Sequence, residues 1–354
     1  METIEPRNLV DWSGLPVDLL QEISKKLHDI LDFVYFRAVC KKWRAATSIS
    51  DLPPQLPWLL EHRDNLEGSK GETLRFYSIF SDKILTIHCP LARGKHLLGP
   101  TQGYLYAFNL SQHNLAHSLL NPFSNDEVTI EIRRHSDPYM VCMGSDPIGD
   151  YLTFNDYFSK MVGIYQPCTC EWNYVELPLH VSHVDGLACF KGKFYMNEPK
   201  TGNTVVVNIA SGSSFVIPPP KTLDSSDQVY FVESTGNILR IVKHMDESSE
   251  YLNFHIYQLD VKAENDQWRW VKTNNIGNQT LFLDWCSSIS ITAIPSTGLR
   301  GNCVYYIERD LKPFDEVYKY NIEDGQTETV PCPFNNVRTW LFPNLLSSLP
   351  AGHY

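Results

Sequence analysis

Apolar residues follow two different periodicities along the 354-residue chain. Over residues 11–47 the spacing is helical. One helical stripe consists of Leu19, Leu20, Ile23 and Leu27, and a second of Phe36, Val39, Cys40 and Trp43. Pro16 suits the first turn of a helix, and a turn is expected near His28 and Asp29. Two or three short helices of this size cannot bury both stripes alone, so some apolar surface is expected to remain for a partner.

A proline-rich segment, LPPQLPWLL, and a polar loop, EHRDNLEGSKGE, separate this head from the rest of the chain. After them the apolar runs are short, β-branched and aromatic, and turn residues interrupt them, which predicts strands and hairpins. We therefore expect a helical domain over residues 9–50, a joint over 51–73 and a β domain over 74–346. Residues 57–61 could supply its first strand. The prolines favour a stiff joint.

The β domain repeats itself. Segments led by glycine begin at Gly103, Gly149, Gly192, Gly236 and Gly301, at intervals of 46, 43, 44 and 65 residues. We interpret the long last interval as a polar insert around residues 262–279. About four strands per 40–45 residues is the period of a β-propeller blade, whereas a β-sandwich predicts no fixed period. Early strands at 58–60, 74–80 and 84–88 and a late one at 337–342 would complete one more blade from both chain ends. The sequence thus predicts a mainly β chain with a propeller of about six blades, five or seven being alternatives.

The cysteine content, the hydropathy and the net charge of the chain exclude several classes of protein and of partner. Nine scattered cysteines, with no basic and apolar leader at the start, are typical of reduced thiols in an intracellular protein of the cytoplasm, the nucleus or both. No apolar run reaches the ~18 residues of a membrane span. The first 50 residues hold seven acids and seven bases, so the rest of the chain carries the whole net charge of −11. A body this acidic repels phosphate backbones, and we expect neither nucleic acid nor membrane as a partner.

Catalytic motifs are missing from the sequence. It has no G-x-S-x-G elbow, P-loop, G-x-G-x-x-G or H-E-x-x-H, and we expect no catalytic residue and no cofactor. Cys168, Cys170, His180 and His183 offer zinc-type ligands, but a gap of one residue between the cysteines is too short for the usual structural site. We interpret the cysteines as part of a hairpin turn and expect no metal.

The head closely resembles the F-box motif. The resemblance rests on the opening Leu15-Pro16 and on the closing run RAVCKKWR, from Arg37 to Arg44. It implies docking on the Skp-type adaptor of a Skp–cullin–F-box ubiquitin ligase and, through it, on cullin. The residues that match the adaptor-binding surface are Leu15, Pro16, Leu20, Ile23, Val39, Cys40 and Trp43. Leu27 and Phe36 are candidates for core positions, and the lysines nearby could steer the head toward an acidic adaptor.

The β domain resembles the C-terminal domain of a family of plant F-box proteins, a β-propeller of unknown function. The segments that carry this resemblance are PQLPWLL at 54–60, GNCVYY at 301–306 and WLFP at 340–343. The chain has no Gly-Gly doublet typical of kelch repeats and no Trp-Asp pair typical of WD repeats.

These observations predict a non-catalytic substrate receptor of a ubiquitin ligase, with the adaptor on the head and an unidentified target protein on the propeller. One alternative is a propeller enzyme with an active site in the central channel. Another is a binding module that acts outside any ligase.

Overall fold

The structure, a computed structural model, describes residues 12–48, 51–62, 72–99, 102–109, 117–130, 138–146, 149–156, 160–178, 181, 184–220, 227–244, 253–262, 267–285, 287–308 and 314–343. The chain divides between Leu56 and Pro57 into two compact units. Within the described ranges, no helix is long and apolar enough to cross a membrane.

The head contains three α-helices. After a 3₁₀ turn (Trp12–Gly14) come α1 (Val17–Ser24), α2 (Ile30–Ala38) and α3 (Lys41–Ala46). Pro16 directly precedes α1, and the Asp29 carboxylate accepts a hydrogen bond from the Leu31 amide at 2.7 Å, which caps α2. The turn expected near His28 and Asp29 is therefore confirmed.

The second helical stripe does not lie on one helix. Helix α2 ends at Ala38, Cys40 is extended with φ −162° and ψ 171°, and α3 begins at Lys41. Because the backbone changes direction there, Phe36 is buried while Val39 is exposed. The interpretation of Phe36, Val39, Cys40 and Trp43 as one face was wrong.

The second unit is built of short strands in six sheets. In chain order the strands are β1 (Trp58–Glu61), β2 (Thr73–Ser78), β3 (Lys83–His88), β4 (His96–Leu98), β5 (Leu105–Phe108), β6 (His117–Asn121), β7 (Asp126–Ile130), β8 (Pro138–Asp146), β9 (Gly149–Asp156), β10 (Met161–Gln166), β11 (Glu171–Glu176), β12 (Asp185–Phe190), β13 (Lys193–Asn197), β14 (Thr204–Asn208), β15 (Ser214–Ile217), β16 (Gln228–Ser234), β17 (Asn237–His244), β18 (Asn253–Lys262), β19 (Gln267–Thr273), β20 (Gln279–Leu283), β21 (Ile289–Thr292), β22 (Cys303–Glu308), β23 (Glu316–Asn321), β24 (Thr327–Val330) and β25 (Val337–Leu341). Two further 3₁₀ turns are Pro90–Ala92 and Pro295–Thr297.

The sheets are the six blades of a β-propeller. Blades 2 to 5 are the consecutive groups β4–β7, β8–β11, β12–β15 and β16–β19. Blade 1 has the order β25-β1-β2-β3, so the last strand pairs with the first, with Leu59 opposite Trp340. The prediction of about six blades closed by both chain ends is confirmed.

The recurring glycines have a conformational cause. In the hairpins that join the first two strands of blades 4 and 5, both turn residues have positive φ: Lys191 (47°) and Gly192 (67°), and Thr235 (48°) and Gly236 (74°). Two consecutive positive φ values characterise the type I′ turn, which matches the twist of the flanking strands. Glycine adopts this region without steric cost, which accounts for Gly192 and Gly236, and Gly103 has a φ of 88° in the turn before β5. Gly149 instead begins β9, and Gly301 lies just before β22.

Blade 6 departs from the repeat. Its order is β21-β20-β22-β23-β24, and β20 lies parallel to β22, with Leu281 opposite Val304. The interpretation of residues 262–279 as a polar insert was wrong, because β19 of blade 5 occupies much of that segment. The longer interval before Gly301 instead accommodates the additional strand β20.

The hydrophobic core lies largely between neighbouring blades. One cluster, for example, joins Tyr230 and Ile256 of blade 5 to Leu281 and Tyr306 of blade 6. Buried charged residues cross the same interfaces. The Arg240 guanidinium of β17 donates hydrogen bonds to Thr204 Oγ1 and Asn197 Oδ1 of blade 4, and burial lowers its pKa to about 10. Blade contacts therefore combine apolar packing with specific polar pairs.

Candidate functional site

The three helices share a small core of their own. Leu20, Phe36 and Ala46 form its centre, and Leu15, Leu27 and Trp43 pack against them. Leu20 is completely buried in this cluster, so the prediction that it lies on the partner-binding surface was wrong. Its neighbour Leu19 instead points outward, since consecutive helical residues lie about 100° apart and cannot share one narrow face.

Polar contacts hold α3 against the rest of the head. The Arg37 guanidinium donates to the Thr47 carbonyl at 2.6 Å and to the Thr47 hydroxyl at 2.8 Å. The Trp43 indole donates to the Trp12 carbonyl at 3.3 Å, and its ring centroid is 4.5 Å from that of Phe36. Residues from the RAVCKKWR motif thus stabilise the helix arrangement as well as supplying surface.

Two pairs of apolar side chains, each spaced by one helical turn, face solvent. Leu19 and Ile23 of α1 are 51% and 40% exposed. Tyr35 of α2 and Val39 at its end are 62% and 57% exposed. Exposed apolar pairs at i, i+4 are suited to an apolar groove on a partner protein. We call these four residues the exposed apolar pairs.

The predicted adaptor-binding residues therefore separate into three groups. Pro16, Ile23 and Val39 are exposed, Leu15, Cys40 and Trp43 are partly buried, and Leu20 is core. Leu19 and Tyr35 were not among the residues predicted for this surface. The i, i+4 spacing of Leu19 to Ile23 and of Tyr35 to Val39 is the signal that could have revealed them.

Basic side chains follow the exposed apolar pairs closely along the chain. Lys25, Lys26, Lys41 and Lys42 are all exposed, and the Lys25 ammonium lies 3.1 Å from the Glu22 carboxylate. Exposed lysines on the same small unit favour an acidic partner, because such charges act mainly on the rate of association.

The propeller has a cavity of about 480 Å³ between its blades. Among the described residues that line it, Glu233 alone belongs to the Asp, Glu, His, Lys and Arg group. The other lining residues include serines, threonines, glutamines and apolar side chains. The converging acids, histidines or arginines that the channel-enzyme alternative requires are not found among these lining residues.

The hypothetical zinc ligands lie only partly within the described residues. Cys168 and Cys170 are exposed in the turn between β10 and β11, which confirms the predicted hairpin turn. His180 and His183 lie outside the described residues. In the ranges that are described, no group of three or more His, Cys, Asp or Glu is arranged to hold a metal ion.

Comparison with known families gives a match for each unit. The F-box domain model matches residues 12–54, and the KIB1-4 beta-propeller model matches residues 76–335. The chain belongs to the KIB1-4 beta-propeller family. Its F-box places it among the plant F-box proteins that carry a propeller domain.

Relatives of this F-box protein share its length. The Arabidopsis thaliana F-box protein SKIP23 is 26% identical over 347 residues, covering 80% of this chain and 81% of the relative. The putative F-box/kelch-repeat protein At5g24040 of the same plant is 23% identical over 345 residues, covering 85% and 87%. Among solved structures, TolB from Acinetobacter baumannii matches with a TM-score of 0.50 and 12% identity, over 87% of this chain and 71% of TolB, which concerns the fold alone.

An F-box domain implies binding to a Skp-type adaptor, and the family assignment points to a non-catalytic adaptor subunit. The F-box head of this protein is thus the unit to which adaptor binding is assigned.

Proposed function

We propose that this F-box protein is the substrate-recognition subunit of a Skp–cullin–F-box ubiquitin ligase. In this role the head binds the Skp-type adaptor, which connects it to cullin, and the propeller binds a target protein. The proposed location is the cytoplasm, the nucleus or both. The observation that carries the proposal is the F-box match over residues 12–54 on a head whose helices expose apolar pairs to solvent.

The proposed mechanism is proximity. A receptor holds target lysines near a ubiquitin carrier, which raises their effective concentration without a catalytic side chain of its own. This role makes one physical demand on the head, an exposed surface that a partner can desolvate, and the exposed apolar pairs meet it. Central apolar anchors of such interfaces commonly account for most of the binding free energy.

Adaptor binding can be tested with a substitution that leaves the head core intact. Val39→Asp places a carboxylate on an exposed position outside the Leu20–Phe36–Ala46 cluster. Burying that charge in an apolar interface should weaken binding of the full-length chain to a purified plant Skp-type adaptor by about tenfold or more. Isothermal titration calorimetry measures the dissociation constant directly.

A matched control is Val261→Asp, the same change at a valine of β18 that is 52% exposed. It should leave adaptor affinity unchanged. Far-UV circular dichroism establishes that both variants keep their helices. Wild-type protein that fails to bind the adaptor would refute the proposal, and unaltered binding by Val39→Asp would remove Val39 from the interface.

A further inference from the structure

The cavity of the propeller lies where successive blades approach one another. It is lined by residues of β8, β12, β16 and β21, which are edge strands of blades 3, 4, 5 and 6, and by Gln102 in the turn before β5. These strands are neighbours in space, β12 between β8 and β16 and β16 beside β21. A volume of about 480 Å³ is within the usual range of ligand sites, about 300–1,000 Å³.

One wall of this cavity is a connected chain of polar side chains. The Ser290 hydroxyl donates to Gln279 Oε1 at 3.2 Å, and the Gln279 amide donates to the Thr292 hydroxyl at 3.0 Å. The Ser234 and Ser290 hydroxyl oxygens are 2.8 Å apart, so Ser234 is left to donate to Ser290. These groups satisfy one another and keep the wall in one conformation.

Two polar side chains of the lining, Ser287 and Glu233, do not belong to this hydrogen-bonded chain. Ser287 is 6% exposed, and its hydroxyl makes no hydrogen bond with the described residues. Glu233 is exposed to solvent at the end of β16, and within the described part of the chain no hydrogen bond or ion pair joins it to another side chain. Partial desolvation raises the pKa of its carboxyl, and the nearby Lys191 opposes that shift. A buried hydroxyl normally has a partner, so an unpaired one lining a cavity points to a ligand.

The chemistry of the lining favours a cation with an apolar stem. Glu233 is the one charged group among the described lining residues, and the protein carries a net charge of −11, which attracts cations. Met143, Leu187 and Ile289 supply apolar contact beside the polar wall. Lysine and arginine side chains combine an apolar stem with a cationic tip that Glu233 attracts, whereas Glu233 would repel an acidic side chain and gain no charge pairing from a purely apolar one.

We propose that this cavity receives a lysine or arginine side chain of the target protein, with Glu233 pairing with its charge and Ser287 accepting a hydrogen bond from it. This inference rests on the proposed receptor function and names the chemical class of the target segment. It assigns target recognition to the cavity that blades 3 to 6 line.

The test uses the full-length chain and a library of phage-displayed peptides. Each peptide is a twelve-residue segment whose central position is lysine, arginine, glutamine or glutamate and whose other positions are random. Selection on the immobilised protein and sequencing of the bound phage give the enrichment at the central position. We expect lysine and arginine to be enriched over glutamine by up to about fivefold, since an ion pair with an exposed carboxylate contributes at most about 1 kcal/mol.

Two variants separate the cavity from general surface charge. Glu233→Gln should abolish the basic preference, and Ser287→Ala should reduce it several-fold. The control Glu171→Gln removes an exposed carboxylate at the start of β11, outside the cavity lining, and should leave the preference intact. Thermal unfolding of each variant establishes that it is folded. Raising the salt concentration should also lower the preference of the wild-type protein, which tests the charge pairing without any substitution.

Absence of a basic preference in the wild-type protein would overturn the proposal, as would a preference that survives Glu233→Gln or is lost equally in Glu171→Gln. Adaptor affinity is measured on the same Glu233→Gln protein and should not change. A failure of the cavity assignment therefore leaves adaptor binding intact, while a failure of the receptor assignment appears in the adaptor titration.

Discussion

The buried ion pair between blades 5 and 6 gives a quantitative test of how neighbouring blades are held together. The Lys243 ammonium of β17 lies 2.6 Å from the Glu308 carboxylate of β22, and their side chains are 1% and 10% exposed. The ammonium is also 5.3 Å from the centre of the Tyr306 ring and 3.5 Å from Gln228 Oε1. Both charges are thus removed from water and depend on each other.

The magnitude follows from this burial. Lys243→Met removes the cation and leaves the Glu308 carboxylate unpaired, which should lower the free energy of unfolding by about 3–5 kcal/mol. The double substitution Lys243→Met with Glu308→Leu removes both charges, and apolar replacements of buried pairs are often neutral or stabilising. We therefore expect the double variant to be more stable than Lys243→Met alone.

Urea unfolding followed by tryptophan fluorescence measures these differences. With a slope of about 3 kcal/mol per M, the single variant should shift the midpoint by about 1 M or more. Arg269→Met is the matched control, because Arg269 and Asp260 form a pair at 2.9 Å on the same blade with side chains 59% and 34% exposed. An exposed pair contributes about 0–1 kcal/mol. A single variant at Lys243 that costs no more than Arg269→Met would refute the reasoning.

Three further predictions concern the propeller. Truncation after Asn336 removes β25, which pairs with β1, and should lower the melting temperature of the whole body cooperatively; an unchanged thermal transition would contradict ring closure. Thr235→Asn should raise the free energy of unfolding by about 0.5–1 kcal/mol in urea, because Thr235 is β-branched at φ 48° and Asn-Gly suits this turn. Burial lowers the pKa of His255 to about 4, the neighbouring His244 and Lys272 add to this shift, and Asp227 opposes it. Since the folded state favours the neutral ring, this stability is present above about pH 6.5 and lost as the pH falls toward 4. After allowance for the exposed part of the ring, we expect this effect to contribute about 1 kcal/mol to the free energy of unfolding. Urea titrations at pH 7 and pH 4.5 should show that this free energy falls less for His255→Gln than for the wild type.

The sequence predicted those features of the fold that depend on local backbone requirements. Gly192 and Gly236 could be identified from the sequence because their two hairpin turns need residues with positive φ. The strand β20 was not predicted, because its parallel pairing with β22 depends on a crossover and leaves no periodic signal. In the head, motif resemblance predicted a binding surface, but it could not separate Leu19 from Leu20, since both are leucines and only three-dimensional packing selects the buried one. The buried pairs of Lys243 and Arg240 were not predicted either. Both residues lie in a mostly apolar strand, and their partners belong to other blades that are distant in sequence.

The pairing of β25 with β1 has a consequence for synthesis on the ribosome. The strand β1 is made first, yet its hydrogen-bonding partner is encoded almost 280 codons later, so the nascent ring keeps an unsatisfied edge until β25 has been translated. Such edges invite pairing with other chains. A stop codon just before β25 should therefore yield aggregated product, and the nascent propeller should need chaperones until β25 is complete.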